Sequence, residues 1–346
     1  MKYLVKNNEQ LRTPMFFVSK LWLIKILLST LLITFSSCDD SINPLKPNVN
    51  LTITVEVPKE GDQIGRFARN AMALHDGKVW SIGGDNDLGG GIFLHNISWF
   101  SLNGANWEPT TQNDIGDERI GHTLTTFQNK LWLIGGENNA GDWLGDIWSS
   151  TDGMNWTNVF STAPFGKVAH HDTIVFNGKM YVVAVNTTTG YMEVWSTQDG
   201  LNWVEETANA FPGRITHKAV VHNNTIYVIG GEKTANNKLN EIWQSTNGSI
   251  WSQVATNAPI FSERNHHTAT AYNGKVWVLG GRTINGFGND IWYSSNMKDW
   301  EKHSGLYVDD DNLHHHTALN YKDAIWIFGG YNKNGITGQI VSLKEN

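Results

Sequence analysis

Cysteine is nearly absent: Cys38 is the single one in 346 residues, so no disulfide can form within the chain and stability has to come from packing. Charge is thin as well, at 17% of residues, and acidic in balance, with 33 Asp and Glu against 26 Lys and Arg. Residues 1–37 hold five Lys or Arg and one Glu, so beyond them the net charge falls from −7 to −11. That deficit of positive charge excludes nucleic acid as a partner. The apolar run from Ile26 to Phe35 is too short for a comfortable membrane span. No glycine-rich loop leads into a helix, and no Ser/His/Asp triad, carboxylate dyad or metal motif stands out. The residues therefore name no catalytic set, no metal and no cofactor.

What the chain has in abundance is a repeated phrase, clearest from Glu263 to Trp300. It runs Arg-x-x-His, an alternating strand, a turn such as Asn-Gly-Lys, a strand ending in Gly-Gly, a polar loop, a strand ending in Asp-Ile-Trp, and a second Trp eight residues later. The aromatic-x-x-Gly-Gly element recurs at Trp80, Trp132, Tyr227, Trp277 and Trp326, and Tyr181 stands before Ala184-Val185, where one copy has lost its glycines. Thirteen residues before each first Gly position stand Asn70, His122, His171, His217, His267 and His316. Paired Trp eight apart, from Trp99/Trp107 to Trp292/Trp300, enclose Asn-Gly or Asp-Gly turns, the dipeptides of tight hairpins. Met297 takes the glycine place in the fifth copy, and that turn is expected to differ.

Each copy is four antiparallel strands, and a four-stranded sheet cannot bury both faces alone, so six of them stack around an axis. The sixth ends without its last strand. The alternating stretch from Leu51 to Val57 supplies it and closes the ring. The Arg-x-x-His, aromatic-x-x-Gly-Gly and spaced Trp pattern resembles kelch repeats, as in the central domain of galactose oxidase and in bacterial sialic acid mutarotases. The resemblance covers Leu51 to the C-terminus and implies an all-β, six-bladed kelch-type β-propeller. It departs from galactose oxidase where that family's copper site uses a Tyr cross-linked to a Cys, since the propeller here has no cysteine; copper radical oxidation is rejected.

Before the propeller, residues 1–37 carry a basic stretch, the apolar run and Ser36-Ser37 ahead of Cys38, an export signal that resembles a bacterial lipoprotein signal with Cys38 as the lipid attachment. Phe35 departs from the aliphatic residue usual at that place. Residues 38–50, acidic and then rich in Pro and Asn, form a tether, and 51–346 the propeller. The expected location is the bacterial cell envelope, lipid-anchored.

The starts of the first strands and the ends of the second share one face of a propeller. Ligand-binding candidates at the channel mouth there are Arg69, Arg119, His170, Arg214, Glu232, Arg264, His266 and His315, with Glu137 nearby. Paired hydrogen bonds from such groups grip carboxylated or hydroxylated ligands. The repeated His also serves a structural reading, in which it satisfies backbone groups at strand starts. Adjacent His on a strand point to opposite faces and cannot chelate one ion together. Trp143, Phe93, Tyr191 and Phe287 add aromatic surface to the same rim. The turn from Ser150 to Trp156 looks like the Asp-box of sialidases but is one residue short, and is taken as a hairpin on the opposite face. Two functions follow: a non-catalytic module that binds a glycan or a protein partner, and, by resemblance, a sugar mutarotase or epimerase using Glu232 or Glu137 with a His or Arg as acid and base. A purely architectural subunit is a third.

Overall fold

The structure is a computed structural model, and it describes residues 49–56, 64–87, 92–110, 115–233, 237–303 and 313–346. The signal segment, Cys38, the tether up to residue 48 and Val57 lie outside these. Residues Pro47–Asn346 form one compact unit, in which every regular element among the described residues is a β-strand.

Five four-stranded antiparallel sheets and one five-stranded sheet follow one another along the chain as six blades. Blade one is built from Ala71–His75, Lys78–Ile82, Ser98–Ser101 and Glu108–Pro109; blade two from Thr123–Phe127, Lys130–Glu137, Trp143–Ser150 and Thr157–Phe160. Blade four has the same plan from Lys218–His222 to Ser252–Gln253. Blade five runs from Thr268–Tyr272 to Glu301–Lys302. In blade six, Leu51–Glu56 lies outermost and pairs antiparallel with Ile340–Glu345, Leu51 opposite Glu345 and Glu56 opposite Ile340. The ring is thus closed by backbone hydrogen bonds between the first and last strands of the domain. The six inner strands contact one another in turn, the sixth against the first.

Period-two alternation divides each blade between two neighbours. In Lys130–Glu137, Leu131 and Leu133 pack with Trp80 and Ile82 of blade one, while Trp132 and Ile134 pack with Met180 and Val182 of blade three. Six such cores fill the six gaps between blades, the last uniting Trp326 and Phe328 with Phe67, Trp99 and Trp107 across the closure. A buried aromatic contributes about 4 to 6 kcal/mol gross of apolar burial, so the Trp-rich repeat is what makes stacking favourable without a disulfide.

The inner hairpins all turn the same way. Both central residues have positive φ in each, as at Asp76-Gly77, Asn177-Gly178 and Asn273-Gly274, the twist-matching primed turn that Asn, Asp and Gly tolerate. The outer hairpins carry their glycine for a different reason. A Cβ on Gly104 would lie 2.7 Å from the ring of Trp326, and one on Gly248 would lie 2.5 Å from Tyr181, so each turn is pressed against the aromatic of the preceding blade. The fifth copy keeps this turn rather than changing it: Met297 adopts φ 63°, its N–H bonds Ser294 Oγ at 2.9 Å as its glycine counterparts do, and its side chain is buried in the core that holds Tyr227. Blade three, without Gly-Gly, pairs Lys179–Asn186 with Tyr191–Thr197 in unbroken register, whereas the corresponding pairings slip at Gly136 and Gly281. The turn beginning at Ser150 is the hairpin the sequence suggested: Ser150 Oγ accepts from Gly153 N–H and Asp152 Oδ1 from Met154 and Asn155 N–H.

Candidate functional site

One residue per blade, just before the repeated Asn or His, has a left-handed backbone: Arg69, Gly121, His170, Thr216, His266 and His315, with φ between 49° and 62°. Backbone bonds join them around the axis, His170 N–H to Gly121 O, Thr216 N–H to His170 O, His315 N–H to His266 O and Arg69 N–H to His315 O. The left-handed turn reverses the side chain, so these residues line the channel while the next residue points between blades. Five non-glycine residues held at positive φ carry a local cost of order 1 kcal/mol each, which the surrounding ladder sustains.

The repeated imidazoles do structural work. His122 Nε2 bonds Ile82 O of the preceding blade at 2.9 Å, and His316 Nε2 lies 3.0 Å from Thr268 Oγ1 of the preceding blade. Burial before all else pushes His122, His217 and His316 down to about 3, so all three are neutral, and His122 and His316 clasp neighbouring blades.

Arg119, Arg214 and Arg264, expected at the channel mouth, are instead at most 1% exposed. Each bonds the carbonyl of its blade's first Gly-Gly glycine, Gly135, Gly230 or Gly280, and an acid on the third strand or just before it, Asp146, Glu241 or Asp290. These bonds hold them away from the channel. In blades one, three and six the same slot holds Phe67, Val168 and Leu313, all buried, which marks it as a packing position. Glu232 bridges Ile215 and Lys238 through the backbone at the rim of blade four and lines neither the channel nor the cleft beside Arg69.

Arg69, His170, His266 and His315 do come together. His266 and His315 stack with ring centroids 3.6 Å apart, and burial, then neighbouring imidazoles, holds both well below the ordinary histidine range. Two neutral rings can stack so closely; two imidazolium ions could not. His170 Nε2 lies 3.0 Å from Glu137 Oε2. Arg69 grips the buried Asp85 with two bonds of 2.5 and 2.6 Å; burial alone would lower its pKa, but Asp85 outweighs that and leaves it raised. Asp85 also accepts from Tyr331 Oη at 2.7 Å, and burial, then this bond, pushes the phenol up to about 12. Tyr331, which the sequence did not single out, thereby ties blade six to blade one. Its signal was its place directly after the last Gly-Gly. Beside Arg69 opens a cleft of about 710 Å3 lined by Asp85, Phe93, Glu118, Glu137 and Asn138. Across the mouth, Phe287 stacks on His314 at 4.3 Å, and Arg282 lies over the Phe287 ring.

Comparisons with known proteins agree with this architecture. The family model "KLHDC2/KLHL20/DRC7 Kelch-repeats domain" matches residues 192–344, from the third strand of blade three to the end of blade six. A tRNA wybutosine-synthesizing protein 2/3/4 from Oryza sativa subsp. japonica is 39% identical over 62 residues, 18% of this chain and 6% of that protein's length. The structure of YjhT superposes with a TM-score of 0.64 at 18% identity, over 81% of this chain and 96% of that one. With six antiparallel blades closed into a ring, the kelch-repeat match and this likeness of fold, the described domain is a kelch-type β-propeller.

Proposed function

We propose that this protein is an exported recognition module, lipid-anchored through Cys38 in a bacterial envelope, that binds a glycan in the cleft at the channel mouth. The observation behind it is the convergence of Arg69–Asp85, Glu137–His170 and the exposed Phe93 around a cleft of about 710 Å3, a size suited to a small ligand. Paired donors and acceptors match adjacent sugar hydroxyls, and an aromatic face matches the apolar face of a sugar ring. Arg69 is already committed to Asp85, which favours a hydroxyl-rich ligand at this point over one that needs a bare cation.

The test is a glycan array with the full chain in mild detergent, alongside a Glu137→Ala/His170→Ala variant. Selective binding lost in the variant supports the reading. No selective binding, with the near-UV signal of a folded Trp-rich protein, transfers it to a protein partner. Cys38→Ser should move the protein from the membrane to the soluble fraction.

One observation favours a second reading. Glu137 and His170, 3.0 Å apart, can exchange a proton, and sugar anomer exchange or epimerisation needs a positioned acid and base. Anomer exchange followed by NMR should then run faster than in buffer and lose that gain in Glu137→Gln; buffer-rate exchange across a panel of sugars removes the enzymatic reading.

A further inference from the structure

The end of the domain away from the channel mouth is built from the inner turns and the outer hairpins, which meet there blade by blade. Thr151 O accepts from His75 Nε2 at 2.8 Å, Ser295 O from His222 Nε2 at 2.9 Å and Leu102 O from Tyr321 Oη at 2.6 Å. The chain enters the domain at this same end. Lys275, next to the inner turn of blade five, bonds Glu345 Oε1 at 2.6 Å, and Glu345 stands opposite Leu51. Asn346 N–H bonds Asn50 O at 3.0 Å, and Val49 packs against the blade five to blade six core.

The outer hairpins need Ser or Thr, Asn or Asp, a residue of positive φ and Trp; their remaining side chains answer to no packing demand. Yet Leu102, Met154, Leu201 and Ile250, 40% to 74% exposed, place one large apolar side chain on the outer hairpin of each of blades one to four. Met154, Leu201 and Ile250 spend their N–H groups on the side chains of Asp152, Asp199 and Asn247, so the turn forms whatever side chain they carry. Blade five has Lys298 at the place of Met154 and Leu201. In blade six the entering strand Leu51–Glu56 lies outermost. Charge also sets this end apart. Counting the residue after each inner turn, the inner turns and outer hairpins carry six Lys against five Asp, whereas the chain beyond residue 37 has a net charge of −11.

Apolar tips on four successive blades, with polar turns between them, do not make the contiguous apolar centre of a protein interface. They suit a flat, fluid surface that takes each tip separately: apolar groups sink about 5 to 10 Å to the boundary of headgroups and acyl chains, while Lys stems lie along it. The length of chain before the domain says which surface. Eleven peptide units separate Cys38 from Val49, at most about 36 to 40 Å when fully extended, short of the roughly 50 Å breadth of a domain of this length. A lipid on Cys38 therefore holds this end next to the bilayer. We propose that this end of the domain lies on the membrane, with Leu102, Met154, Leu201 and Ile250 inserted among the lipid headgroups and the channel mouth turned outward. The inference rests on the anchor in the reading above and not on which ligand the cleft takes.

The experiment uses the full chain recovered from membranes, methyl-labelled at Ile, Leu and Met, in nanodiscs of phosphatidylethanolamine and phosphatidylglycerol that contain a gadolinium-headgroup lipid. Methyl NMR then reads native side chains. The four tip methyls should broaden about tenfold or more beyond Ile284, 65% exposed at the channel-mouth end, because that end stands most of the domain's breadth away from the headgroups. In Leu102→Ser/Leu201→Ser/Ile250→Ser, the Met154 methyl should lose that excess several-fold. Equal broadening at both ends, or more at Ile284, overturns the proposal and leaves the tips to a protein partner. A folded triple variant that keeps the full excess at Met154 overturns it too; should that variant not fold, Ile250→Ser, read at Met154 and Leu201, takes its place. Mass spectrometry of the same sample separates the two readings. A chain without an acyl group defeats the anchor, and Cys38, the single cysteine, is then coupled to a maleimide-headgroup lipid and the same contrast decides the docking.

Discussion

Removing Arg264 should cost stability, and restoring the slot to an apolar one should recover it. The side chain is fully buried. It donates from Nη1 to Gly280 O and Asp290 Oδ1, both at 2.8 Å, from Nη2 to Asp290 Oδ2 at 3.1 Å and from Nε to Ser262 O at 3.1 Å, while its guanidinium lies over the Phe261 ring. Arg264→Ala leaves a carboxylate and two carbonyls without their donor. Breaking a buried pair from one side costs about 3 to 5 kcal/mol, and for a domain of this length about 4 kcal/mol lowers the melting temperature by roughly 6 °C. Blade one shows what the slot tolerates when neither charge is present: Phe67 stands in the Arg place and Ile97 in the acid place, both within or packed against the blade six to blade one core. Arg264→Leu/Asp290→Ile should therefore regain most of the loss, because the desolvation cost of both charges disappears together. Thermal unfolding followed by near-UV circular dichroism measures both variants. An Arg264→Ala protein that melts with the wild type but loses its ligand would refute the structural assignment and return this Arg to the binding surface.

Acid should weaken the domain well above the carboxylate range. His122, His217 and His316 are held by burial at about 3 but titrate near 6.5 when unfolded, so between those values the unfolded state binds more protons and stability falls as pH falls. At pH 5 the loss is on the order of 2 kcal/mol for each, visible as a falling urea midpoint from pH 7.5 to 5; a flat profile contradicts the clasp role. Closure by the first strand predicts that Ile53→Asp, placed in the blade five to blade six core and opposite Leu343, lowers stability by several kcal/mol and raises hydrogen exchange in Ile340–Glu345, whereas Thr54→Asp on the exposed face leaves both nearly unchanged.

The sequence by itself determined the repeat, the six blades and the strand that closes the ring, because these follow from local periodicity that the copies restate. It also marked blade three as different, through Ala184-Val185. The tertiary structure alone decided which polar side chains face the axis. Arg119, Arg214 and Arg264 differ from Arg69 by two residues of register, and Arg69 alone of the four has a left-handed backbone: three side chains go into the wall, one into the mouth. The bond between Asp85 and Tyr331 forms only once blade six meets blade one, since the two lie 246 residues apart in the chain and come within reach through stacking alone.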